Sequence, residues 1–198
     1  MPLPTPARRE TLHTRTLIFE CYARDDGLWD IEGHLVDTKA YPQPLYERGE
    51  LPPGTPIHDL ALRVTVDDQL VIREIAGSMD HTPLGECQRA QAPLQKMLGV
   101  TLGPGLRQAI DRALGGTQGC THFRELLVNA ATAAYQAVPH AQARKRRLAG
   151  LPDEPVGDRP PFHVGRCIAW DVDGSAVARY FPQFSGWEPL RRVTRRGE

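Results

Sequence analysis

Two runs of alternating residues broken by an acidic turn constrain this fold more than anything else in the chain. From Thr16, LIFECYAR leads through Asp25-Asp26-Gly27 into LWDIEGHLVD, and Asp26-Gly27 is the chemistry of a tight hairpin turn. On the second run Trp29, Ile31, Gly33 and Leu35 fall on one face, with Asp30, Glu32, His34 and Val36 on the other. The pattern repeats downstream. LALRVTV and LVIREIAG are separated by Asp67-Asp68-Gln69, and Leu60, Leu62, Val64 and Val66 alternate with Ala61, Arg63 and Thr65. Two antiparallel hairpins follow from these spacings.

Helical spacing takes over after residue 88. Pro93 suits the first turn of a short helix within 88–98. Leu106, Ala109, Ile110, Ala113 and Leu114 keep a 3.6-residue period that Gly115-Gly116 stops. The clearest helix begins after Cys120, with Thr121 as its expected N-cap and a stripe of Phe123, Leu126, Leu127, Ala130, Ala131, Ala134, Tyr135 and Val138. Between the hairpins, residues 40–57 hold five prolines and read as a surface loop. HVGRCIAW and AVARYFPQF, split by Asp171-Val172-Asp173-Gly174, are expected to form a last hairpin. The fold class is therefore α+β, an antiparallel sheet of hairpins with helices on one side. Its expected parts are a flexible arm (1–15), a metal-site domain (16–140), a linker (141–162), a C-terminal hairpin packed on the domain (163–190) and a tail (191–198).

Composition narrows the function classes. At 198 residues with 40% hydrophobic residues, the chain is long enough for a substantial core. Its 24 basic and 24 acidic residues cancel, which argues against nucleic acid or an anionic membrane as partner. No apolar run approaches the roughly 20 residues needed to cross a bilayer, and the start lacks the apolar core of a signal peptide. A cytoplasmic location is expected, where Cys21, Cys87, Cys120 and Cys167 stay reduced.

Chemistry concentrates between His58 and His122. His58-Asp59 stands just before a strand, Cys87 closes the connection leaving the returning strand, and Cys120 and His122 lie at the start of a packed helix. Unpaired N–H groups and the helix dipole favour negative charge on sulfur there. Two thiolates with imidazole or carboxylate suit zinc or iron rather than calcium or magnesium. His58, Cys87, Cys120 and His122 are thus the expected metal ligands, with Asp59 as catalytic base. His81 is a weaker candidate near Cys87, and Lys39 at a strand end is a candidate for orienting an anionic substrate.

The residues GHLVDTK, PIHDLALRVTVDD, Cys87 and GCTHFREL together resemble a bacterial family of unknown function across roughly residues 15–140. That likeness implies no activity. More distantly, the hairpin ALRVTVDDQLVIREIAG, flanked by His58-Asp59 and followed by Cys87 and Cys120-Thr121-His122, is similar to the NifU-like (IscU-type) iron–sulfur scaffolds. It implies an α+β fold with a metal pocket at the same place. His58 stands where those scaffolds carry a cysteine, the His-Cys order is altered and their recognition loop is missing, which argues against cluster assembly.

The expected function is a metal-dependent (zinc or iron) enzyme acting on a small organic substrate, hydrolytic or lyase-like. One alternative is a non-enzymatic metal or iron–sulfur carrier that docks a protein partner or a second copy of itself. Another is a metal-free enzyme with Cys120 as nucleophile and His122 or His58 as base.

Overall fold

The computed structural model describes residues 3–152 and 157–188. They divide into two compact units, 1–144 and 145–198. In the first, strands β1 (His13–Ala23), β2 (Trp29–Lys39), β5 (Pro56–Val66) and β6 (Ile72–His81) form one antiparallel sheet in the order β1-β2-β5-β6. Both expected hairpins are present. The sheet starts earlier than expected: β1 takes in residues 13–15, which the sequence assigned to a flexible arm. The proline-rich 40–57 also folds more than a loop would, pairing β3 (Gln43–Leu45) with β4 (Gly49–Leu51) and giving Pro56 and Ile57 to β5.

One face of the sheet is apolar by alternation. Register places Leu17 opposite Leu35 and Leu35 opposite Leu60, then Phe19, Gly33 and Leu62, then Cys21, Ile31 and Val64. Ile31, Leu35 and Val64 are fully buried. Helix α2 (Thr121–Leu148) supplies Phe123, Leu126, Leu127, Ala130, Ala131, Ala134 and Val138 to the same core. Each fully buried Leu or Phe contributes roughly 1.5–3 kcal/mol of transfer free energy. Two strand glycines set how closely the helix sits. A Cβ on Gly33 would stand 2.5 Å from the Phe19 ring and 3.2 Å from Leu126, and one on Gly77 would stand 2.7 Å from both Phe123 and Leu94.

Residues 85–90 and 92–97 form 3-10 turns where one short helix was expected, and α1 (Leu106–Leu114) fits its predicted span. The carbonyl of Cys120 accepts the Arg124 N–H, so Cys120, rather than Thr121, caps α2. The helix runs through Pro139 to Leu148, into the expected linker. Residues 140–148 are mostly Ala, Gln, Arg and Lys, strong helix formers that carry it past the proline.

In the second unit the expected hairpin is absent from the described part of 163–190. Residues 168–170 and 182–184 are 3-10 turns, and Ser175–Tyr180 is a short helix, α3. Val177, Phe181 and Phe184 recur at helical rather than strand spacing. Val177 and Phe184 are buried together with Val164. The expected tail at 191–198 lies outside the described residues. Among the described residues no helix is long and apolar enough to cross a membrane.

Candidate metal centre

The alternation that builds the apolar face continues to the end of the sheet and turns polar there. One row beyond Leu17, Leu35 and Leu60, register sets Arg15 opposite Asp37 and Asp37 opposite His58. All three share the helix-facing parity of those leucines. Between Asp37 and Thr38 the pairing shifts, with Ile57 as the extra residue on β5. Bulges of this kind re-aim side chains at sheet ends. The first turn of α2 closes over the row. His122 reaches it from one side, and Glu125, one turn on, meets Arg15 Nη1 at 2.8 Å.

Asp37 is the hub, and it is only 2% exposed. Arg15 forks onto it, Nε to Oδ1 and Nη2 to Oδ2, each at 2.8 Å. His13 Nε2 lies 3.1 Å from Oδ1, His58 Nδ1 3.1 Å from Oδ2 and His122 Nε2 3.6 Å from Oδ2. The rings of His58 and His122 are 4.1 Å apart, tilted by 43°. Among the described residues, Asp37, His58 and His122 each offer a ligand atom within 4.8 Å of the others, an arrangement able to hold a metal ion.

Burial and charge bias this group toward a ligating state. Burial opposes the charge on Asp37, but the Arg15 fork and the neighbouring histidines outweigh it and hold the carboxyl below its ordinary 3.8. Burial, joined by repulsion from His122, pushes His58 below 6.5 despite Asp37. Burial and the Arg15 charge do the same to His122. An ionised carboxylate beside two neutral imidazoles is the donor state a metal needs.

The expected ligands separate. His58 and His122 meet. Cys120 Sγ stands 3.6 Å from His122 Nδ1, the ring nitrogen other than the one that approaches Asp37, so it touches the group without joining it. Cys87, in the 3-10 turn 85–90, is half-buried against the hydrophobic core and outside the three-residue group. Asp59 follows His58 and therefore points to the other face of the sheet, where it meets His34 Nε2 at 2.6 Å. That position removes the reason for making it a base at this centre. All four cysteines are free thiols, with Cys167 exposed.

Asp37 and Arg15 were missed, although the signal for both was present. Asp37 continues the Trp29-Ile31-Gly33-Leu35 face, and Arg15 continues the parity of Leu17 and Phe19.

No curated protein matches the chain. No solved structure matches it either, so the NifU-like resemblance gains no support. One family model does match, over residues 13–136, a span that begins with His13 and contains Arg15, Asp37, His58, Cys120, His122 and Glu125. The chain belongs to that family, described as "Protein of unknown function (DUF2889)".

Proposed function

We propose that the chain is a metal-dependent enzyme that holds one zinc or iron ion through Asp37, His58 and His122 and acts on a small organic substrate, by hydrolytic or lyase-like chemistry. One observation carries the reading. Asp37 Oδ2 lies 3.1 Å from His58 Nδ1 and 3.6 Å from His122 Nε2. Tetrahedral bonds of about 2.0–2.1 Å to an ion put donor atoms about 3.3 Å apart, between those two values. Two imidazoles and one carboxylate fit zinc and iron, and three protein ligands leave a position for substrate or water. A bound ion would supply Lewis-acid polarisation of a substrate oxygen. Arg15 fixes the carboxylate plane, and Cys120 and Glu125 steady the first turn of α2 around His122.

Calorimetric titration of chelator-treated protein with zinc tests this directly. One equivalent should bind, with affinity reduced at least about 100-fold in His58→Ala and in His122→Ala. Equal affinity in both variants and the unaltered chain would overturn the site. Cobalt(II) in place of zinc should show no thiolate charge-transfer band, because Cys120 faces the other nitrogen of His122. Loss of turnover on chelation, across a panel of small esters and phosphoesters, would tie the ion to catalysis.

A second reading has its own observation. Cys120 Sγ, His122 Nδ1 and Nε2, and Asp37 Oδ2 form a sulfur–imidazole–carboxylate sequence with two steps of 3.6 Å. That is the order of a thiol nucleophile with its base and orienting acid. Rapid inactivation by iodoacetamide, with activity unaffected by chelation, would favour it over the metal enzyme.

A further inference from the structure

Between α1 and α2 lies a cavity of about 420 Å³, within the range of small-molecule sites. We infer that it binds a small organic anion, a carboxylate or phosphate ester with an apolar body. Ile110 and Val128 give the wall its apolar part, and Arg107 and Arg124 its positive charge. Two carboxylates, Asp111 and Glu125, also line it, but both are engaged. Asp111 pairs with Arg124 and Glu125 with Arg15. Arg107 has no ion-pair partner among the described residues, so the wall keeps an unmatched guanidinium.

The Nε–H of Arg124 has no hydrogen-bond partner among the described residues but is shielded from solvent, which leaves capture of an anion to the exposed guanidinium of Arg107. A planar guanidinium suits carboxylate and phosphate oxygens.

Two residues of the cavity wall adjoin the candidate metal centre. Thr121 on its wall precedes His122, and Glu125 shares Arg15 with Asp37. That the anion is the substrate rests on the function proposed above; that it binds does not.

Phenyl phosphate and benzoate, with benzyl alcohol as the neutral control, can be titrated into the full chain by nuclear magnetic resonance, metal-free and zinc-loaded. At least one anion should bind and shift resonances of Arg107, Arg124 and Val128, with affinity at least about tenfold lower in Arg107→Gln and in Arg124→Gln. Arg112→Gln, on α1 but away from the cavity wall, should bind as the unaltered chain does. No binding by either anion, equal binding of benzyl alcohol, or unchanged affinity in Arg107→Gln would overturn the proposal. Zinc titration of the same variants separates the two claims. Arg107→Gln should lose the anion and keep zinc, and His58→Ala should lose zinc and keep the anion.

Discussion

Adjacent residues of β5 give this molecule two histidine–aspartate groups with opposite character. His58 faces α2 and meets Asp37, which is 2% exposed. Asp59, the next residue, faces away and meets His34, with side-chain exposures of 22% and 49%. The outer contact is the shorter, 2.6 Å against 3.1 Å. Distance alone would rank it first. Burial reverses the order, because exposed pairs are screened by water and contribute about 0–1 kcal/mol, whereas the inner carboxylate is cut off from solvent and answers to four basic side chains.

The largest expected effect follows from that contrast. Asp37→Ala leaves Arg15 and two imidazoles under the helix without their anion and should cost about 3 kcal/mol in urea unfolding. Asp59→Ala should cost no more than about 1 kcal/mol. Equal losses would abolish the distinction between the two faces.

Next in size is Gly77→Val. Its side chain would drive into Phe123, the residue beside His122, and should cost about 2 kcal/mol. Zinc affinity should fall with it, since the first turn of α2 would be displaced. Unchanged unfolding midpoints would mean that α2 has room to shift.

Acidity sharpens the comparison further. His58 and His122 are held below 6.5 in the folded chain. Below 6.5 the unfolded chain takes up protons that the folded one refuses, so stability should be level above that pH and decline as pH falls toward the folded values. His58→Gln with His122→Gln should flatten this decline. Asp37 is held below 3.8, so its contribution is present above that value and is lost as pH drops through the folded one. Unfolding midpoints measured from pH 8 to pH 3 would show both phases. A decline that persists in the double variant would place its source elsewhere.

The smallest effects concern sulfur. Cys120→Ser should lower zinc affinity by up to about tenfold through its contact with His122. Cys87→Ser should leave zinc binding unchanged. A large loss in Cys87→Ser would return that thiol to the ligand set.

The alternation of residues 17–35 and 60–77 was enough to read both hairpins, because one buried face imposes a two-residue period. The α2 stripe was legible for the same reason at a helical period. His58 and His122 could be picked out by residue type at the ends of elements. Asp37 was passed over because a charged residue at the end of a strand looks solvated; only the helix lying over it makes it buried. Strand parity also carried the warning about Asp59, which shares the face of Ala61 and Arg63. Residues 163–188 misled because short apolar groups around Asp-x-Asp-Gly fit a hairpin as readily as a helical turn. The cavity was invisible, since it depends on how two helices separated in sequence lie side by side.

Asp37, His58 and His122 come from β2, β5 and α2, three elements that no local folding event brings together. A chain with the four-stranded sheet assembled but α2 still detached would have two of the three donors in register and the third adrift. An ion held by all three would therefore act as a clasp, slowing the departure of the helix more than it speeds its arrival. The rate at which zinc escapes would then time the lifting of α2 from the sheet, a motion otherwise hard to observe.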